Sequence, residues 1–219
     1  MFAGSSTGLV SEFSNVVYGG PAGSLLAFSL AAADLDRDGF TDLIAGQPSL
    51  SQPREAGRVH RGGPAGWASN AVWSVVGETS GERFGECVVV LDANGDGRPD
   101  LAVSTPRFAN GAMTNAGQVR LFLGTADGLF DPKPAWSFTG PVADGGFGLG
   151  LANLGDLDKD GREELGVGAP GLRESKRDGR AAPTFSTAPP TALKAMHAGP
   201  SRATCRMAVS VTALRTSAI

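Results

Sequence analysis

One ten-residue pattern occurs three times in this chain, and it limits the fold more than any other feature. The copies are Asp34-Leu35-Asp36-Arg37-Asp38-Gly39-Phe40-Thr41-Asp42-Leu43, Asp92-Ala93-Asn94-Gly95-Asp96-Gly97-Arg98-Pro99-Asp100-Leu101 and Asp156-Leu157-Asp158-Lys159-Asp160-Gly161-Arg162-Glu163-Glu164-Leu165. Further landmarks keep the same register. Gly46-Gln47-Pro48, Ser104-Thr105-Pro106 and Gly168-Ala169-Pro170 follow the first Asp at a constant offset. A second set recurs as Gly4-Ser5-Ser6-Thr7-Gly8-Leu9, Gly62-Gly63-Pro64-Ala65-Gly66-Trp67 and Gly124-Thr125-Ala126-Asp127-Gly128-Leu129. Several landmarks in one register define a repeat of about 60 residues, the kind that builds solenoids or propellers.

Short apolar runs bracket each acidic loop. Leu30 to Ala33, Val88 to Leu91 and Leu149 to Leu154 precede the loops; Leu43 to Ala45, Leu101 to Val103 and Leu165 to Val167 follow them. Arg58 to His60 and Val119 to Leu123 lead into Gly-rich turns. Runs this short, closed by Gly and Pro, predict strands rather than helices. The 32 glycines carry no Gly-X-Y period, which excludes collagen and leaves an all-β chain of many turns. About four short strands per repeat is what a propeller blade requires.

Each loop places carboxylate or amide oxygens at positions 1, 3 and 5 and Gly at position 6. The side chains of Asp34, Asp36 and Asp38, of Asp92, Asn94 and Asp96, and of Asp156, Asp158 and Asp160 then converge on one side of a tight turn. Gly39, Gly97 and Gly161 let the backbone fold back with positive φ. The position 7 carbonyls of Phe40, Arg98 and Arg162 are expected to point inward, and Asp42, Asp100 and Glu164 at position 9 to close the cage. Hard, charged, flexible oxygen donors suit Ca²⁺ better than octahedral Mg²⁺. No Cys or His cluster lies nearby, which argues against zinc and copper. An EF-hand shares positions 1, 3, 5, 6 and 7 but needs Glu at position 12. Here Ala45, Val103 and Val167 stand there, so an EF-hand is rejected. The alternative is that Asp-Gly stretches are plain turns. Four unneutralised carboxylates in one turn repel one another, and three aligned copies weigh against that reading.

These residues resemble the FG-GAP repeats that build the seven-bladed N-terminal propeller of integrin alpha subunits and related extracellular proteins. The third copy carries Phe147-Gly148, the acidic loop and Gly168-Ala169-Pro170; the second has Phe84-Gly85 with Ser104-Thr105-Pro106; the first has Leu26-Ala27 with Gly46-Gln47-Pro48. The resemblance covers residues 1 to about 172. It implies a Ca²⁺-stabilised partial β-propeller of about three blades, each a four-stranded antiparallel sheet with a calcium-binding hairpin loop. The blades are expected as a half blade at 1–22, then about 23–80, 81–143 and a truncated 144–172. The metal would be structural, on the face opposite the principal ligand-binding loops. The resemblance further implies an extracellular or cell-surface module for protein recognition or cell adhesion, non-enzymatic, with a protein or matrix-like ligand. The alternative from another class is an accessory domain of a secreted hydrolase or phospholipase whose catalytic region is absent from this chain.

Other features bound these expectations. A net charge of −3 gives no electrostatic reason to expect nucleic acid as a partner. The longest apolar stretch, Leu25 to Ala33, is too short to span a bilayer and reads as a buried strand. Met1 to Ser24 holds no Lys or Arg, so a signal peptide lacks its positive n-region, and a chain beginning inside a blade reads as a fragment or a misplaced start. After Leu172 the repeat stops, and residues 173–219 read as a low-complexity tail, disordered or frame-shifted. Cys87 reads as a small buried apolar residue rather than a nucleophile, and Cys205 offers no metal spacing. Trp67, Trp73 and Trp136 recur in register and read as blade packing. His60 reads as an exposed or half-buried strand residue. Neither it nor His197 has a nucleophile or carboxylate at a recognisable spacing, so no catalytic set emerges.

Overall fold

The computed structural model describes residues 2–5, 8–13, 25–48, 55–172 and 209–212. Every apolar run that brackets an acidic loop is a strand, and each loop is the hairpin between two of them. β1 (Phe2–Ser5) and β2 (Gly8–Phe13) pair antiparallel as a two-stranded ribbon. β3 (Ser29–Ala33), β4 (Asp42–Gly46), β5 (Glu55–His60) and β6 (Trp73–Val76) form a four-stranded meander in chain order. β7 (Val88–Leu91), β8 (Asp100–Thr105), β9 (Gln118–Phe122) and β10 (Trp136–Thr139) repeat it. β11 (Gly150–Asn153) and β12 (Leu165–Gly168) begin a third sheet, and β13 (Val209–Thr212) completes its described part beside β12. The described residues contain no helix. The chain is therefore all-β, built of consecutive antiparallel propeller blades. The expectation for 173–219 otherwise falls outside the described residues.

Register follows the sequence repeat in the first two blades. Ala33 faces Asp42 and Leu91 faces Asp100, so these loops leave and re-enter their sheets at the same rung; in the third, Asn153 faces Leu165, a register one residue off. Position 12, where an EF-hand would need Glu, is Ala45, Val103 or Val167. All three lie buried inside β4, β8 and β12.

Two cores separate the blades. In β7, Val88 and Val90 face the first core while Val89 and Leu91 face the second. In β8, Leu101 and Val103 face the first and Ala102 the second. A sheet sandwiched between two neighbours buries both faces, so its strands read as unbroken apolar runs instead of alternating ones. The Phe of each Phe-Gly pair enters a different core, Phe84 the first and Phe147 the second. The following Gly N–H donates across to β8 or β12, Gly85 to the Ser104 carbonyl at 2.8 Å and Gly148 to the Gly168 carbonyl at 2.9 Å. The degenerate end motifs thus tie each blade's entry to its second strand.

Three expectations change. The stretch 25–33 is not a buried strand throughout: only 29–33 is extended, and Phe28 and Leu30 are 51% and 58% exposed. Ala31 and Ala33 pack on the first core, and the alternating neighbours face away from it. His60 is not exposed or half-buried but fully buried, because it stands opposite Leu43 as Phe122 stands opposite Leu101. Its Nδ1 pairs with the Ala68 carbonyl at 3.0 Å, and its Nε2 has no partner. Cys87 is not buried but half-buried, just before β7.

Candidate metal centre

The three hairpin loops fold by the same backbone bonds. The position 1 carboxylate reaches forward to two N–H groups. Asp34 accepts from Asp38 at 3.2 Å and Gly39 at 3.0 Å; Asp92 from Asp96 at 3.2 Å and Gly97 at 2.7 Å; Asp156 from Asp160 at 3.1 Å and Gly161 at 2.9 Å. The position 5 carboxylate makes an Asx turn two residues on, to the N–H of Phe40, Arg98 or Arg162 at 2.8 to 3.0 Å. Gly39, Gly97 and Gly161 have φ of 90°, 78° and 88°, as expected for position 6. Position 4 also lies in the left-handed region, with Arg37 and Lys159 at 61° and Gly95 at 76°. That second turn is invisible in the sequence, since only one copy spends a Gly on it.

Position 9 is rooted in the sheet instead of the loop. Asp42, Asp100 and Glu164 are buried, and each accepts the position 2 N–H: Leu35 at 3.1 Å, Ala93 at 3.0 Å and Leu157 at 2.5 Å. The other oxygen of Asp42 accepts from Gly62 N–H at 2.7 Å, and that of Asp100 from Gly124 N–H at 2.8 Å. Burial pushes the Asp100 carboxyl up to about 6 against these bonds, and the neighbouring Asp96 and Asp92 push the same way. Asp96 goes the other way. Burial opposes the shift, but the Arg98 N–H, the Asn94 amide and the Arg98 guanidinium hold it below the usual range.

The donor atoms converge unequally. In loop 156–164, carboxylate oxygens of Asp156, Asp158, Asp160 and Glu164 all lie within 4.8 Å of one another. In loop 34–42, Asp34, Asp36 and Asp38 do so, and Asp42 lies outside the group. In loop 92–100, Asn94 supplies an amide at position 3, and its Nδ2 donates to Asp96 Oδ2 at 3.1 Å. Ca²⁺ takes about six to eight hard oxygen ligands, of which four carboxylates converge at 156–164 and three at 34–38, so the residues fit the metal best at 156–164.

Several further contacts shape these loops and differ from copy to copy. Arg37 Nη2 donates to the Gly97 carbonyl at 2.5 Å, and Arg162 Nε to the Asn94 carbonyl at 3.3 Å, which chains the three loops along one face. Glu163 Oε2 accepts from the Asp92 N–H at 2.7 Å. Trp67 Nε1 donates to the Thr41 carbonyl at 2.8 Å, so this Trp braces a loop. Trp73 and Trp136 pack as expected, Trp73 edge-on to Phe122 and Phe130 and Trp136 stacked on Phe138. No local signal marks Glu163, because its partner Asp92 is brought near only by the packing of neighbouring blades.

Consecutive antiparallel blades, each with an acidic hairpin between its first two strands, define a partial β-propeller. The chain belongs to the FG-GAP repeat family. The FG-GAP repeat matches residues 27–60 and the FG-GAP-like repeat residues 92–167. It is 35% identical over 164 residues to phosphatidylinositol-glycan-specific phospholipase D of Mus musculus, covering 69% of this chain and 19% of that protein. It is 31% identical over 158 residues to integrin alpha-V of Gallus gallus, covering 70% of this chain and 15% of that one. With integrin alpha-IIb of Homo sapiens the identity is 33% over 156 residues, covering 65% and 14%. The chain thus spans about a fifth or less of the length of these relatives.

Proposed function

We propose that this chain is an extracellular, calcium-binding β-propeller module for protein recognition or cell adhesion, in which the metal is structural and the module itself is non-enzymatic. The observation that carries the calcium reading is the convergence of Asp156, Asp158, Asp160 and Glu164 within 4.8 Å. Each pair of unit charges at that distance repels by about 1 kcal/mol in water and by about 3 to 4 kcal/mol at an effective dielectric near 20. Backbone N–H groups offset part of this, and a divalent cation would offset the rest. Asp156, Asp158, Asp160 and Glu164 would hold it with the Arg162 carbonyl. The counterparts Asp92, Asn94, Asp96, Asp100 and the Arg98 carbonyl, and Asp34, Asp36, Asp38, Asp42 and the Phe40 carbonyl, form the lesser sites. Without the bidentate Glu of sensor loops, Kd on the order of 10⁻⁴ to 10⁻³ M is expected, which suits millimolar extracellular calcium.

The likeness to integrin alpha chains supports recognition or adhesion, with a protein or matrix-like ligand. The likeness to a phospholipase D favours a second reading, an accessory domain of a secreted hydrolase. Fold does not choose between them, because propellers host many functions. Sequencing the full transcript does: a catalytic motif set in the same open frame favours the enzyme, and further blades with a membrane anchor favour adhesion. For the metal, thermal melts in millimolar Ca²⁺ and in EGTA are decisive. A hundredfold excess over Kd is expected to stabilise by about 2.7 kcal/mol per site. Asp160→Ala is expected to remove most of that rise. Coincident melting curves for the folded protein would show that the loops are plain turns.

A further inference from the structure

The three loops share a pattern but not their surroundings. At loop 34–42 the side chain of Arg61, the first residue after β5, enters from outside. Its Nη1 lies 3.1 Å from Asp36 Oδ2 and 2.9 Å from Asp42 Oδ2, so one guanidinium bridges positions 3 and 9. Its Nη2 donates to the Asp127 carbonyl at 2.9 Å, in a turn of the next blade. That turn is pressed against the loop. A Cβ on Gly128 would meet Cα and Cβ of Asp36 at 2.6 Å, so Gly is needed for the approach. The next blade lacks the device. Register makes Leu123 the counterpart of Arg61, since Gly62 and Gly124 each donate to a position 9 carboxylate. Leu123 is uncharged and packs on the second core. Arg98 and Arg162 make a different contact, each to the outer oxygen of its own position 5 carboxylate, at 2.8 and 3.4 Å.

We propose that Arg61 is the resident counter-cation of loop 34–42: it neutralises positions 3 and 9 in place of a metal ion, so this loop keeps its shape without calcium and takes it up far more weakly than loop 156–164. The comparison with loop 156–164 rests on the calcium reading above. An ion at loop 34–42 needs the oxygens that the guanidinium already holds. Admitting it means breaking two charge-assisted bonds and the bond to Asp127, and seating a dication beside a fixed positive charge. The position of Asp42 outside the cluster formed by Asp34, Asp36 and Asp38 agrees with this division.

Trp67 supplies a local reporter, because its indole is bonded to Thr41 inside the loop. Tb³⁺ bound there would be sensitised by tryptophan excitation, and Trp67→Phe would abolish the emission. In the full wild-type chain, the Trp67-dependent Tb³⁺ signal is expected to be absent at concentrations that saturate loop 156–164, whose own occupancy is followed by Ca²⁺ calorimetry with and without Asp160→Ala. Arg61→Leu, which installs the residue of the next blade, is expected to gain one Tb³⁺ and one Ca²⁺ equivalent, with at least a tenfold rise in affinity at this loop. Its melting temperature is expected to fall in EGTA and to recover in Ca²⁺. Arg61→Gln keeps a donor towards Asp127 and serves if the Leu variant does not fold. A strong Trp67-dependent signal in the wild type, or no added site in a folded Arg61 variant, overturns the proposal. Loss of Ca²⁺ binding at loop 156–164 alone overturns the general calcium reading and leaves the Arg61 comparison to stand on Tb³⁺.

Discussion

Asp42, Asp100 and Glu164 each serve two structures at once, accepting a loop N–H with one oxygen while standing at the first rung of a strand or beside it. That double duty is why position 9 is buried while positions 3 and 5 remain open to solvent. The acidic positions were all legible in the sequence because the Asp-x-Asp-x-Asp-Gly spacing is local. The raised pKa of Asp100 was not, since it comes from burial in the folded sheet. Cys87 shows the same dependence on surroundings. Burial pushes its thiol up, helped by the Glu86 carboxylate and opposed by hydrogen bonding to Ser104 and Leu151. A raised value means that the fold favours the protonated thiol. This contribution to stability is therefore present at neutral pH and is lost as pH rises through the folded value. In a Cys205→Ser background, alkylation of Cys87 at pH 8 is expected to be several-fold slower in the native protein than in urea. The gap should narrow as pH climbs past 9, because the thiolate is the nucleophile. Equal rates at pH 8 would contradict a suppressed thiolate.

Short apolar runs mark the strands and hairpins of this chain but not which face of each is covered. The run at 25–33 carries enough apolar residues for a buried strand, but only Ala31 and Ala33 reach the core. Conversely, His60 looks polar and is fully enclosed, because its place opposite Leu43 is the one Phe122 fills opposite Leu101. Periodicity says which side chains share a face and says nothing of what covers it. Trp73 shows what coverage does: it sits on the outer strand β6 and meets Phe122 and Phe130 of the next blade edge-on, at 6.1 and 5.3 Å between centroids. Trp73→Ala is expected to cost about 3 kcal/mol, from lost burial and the cavity left behind. Urea unfolding measures this as a lower midpoint at an unchanged slope. A shift within 0.5 kcal/mol, on the order of an ordinary surface substitution, would mean that Trp73 contributes little between the blades.

Across the molecule, the β7–β10 sheet supplies side chains to both cores, so neither core survives without it. The blades are therefore expected to unfold together, and Trp fluorescence and far-UV circular dichroism should give superimposable urea transitions. Two separated transitions would show that the blades are independent. The sequence by itself determined the repeat, the hairpin loops and the acidic positions, because each rests on contacts within about a dozen residues of chain. Tertiary structure alone decided how the loops differ. Arg61 reaches Asp42 from the end of β5, the Asp127 turn closes on Asp36 from the next blade, and Arg37 and Arg162 tie one loop to another. Charge at an acidic loop is set by everything within a few ångströms of it, whatever the separation along the chain. Three nearly identical loops therefore acquire different surroundings, and on the proposal above different cations, from neighbours that the repeat does not encode.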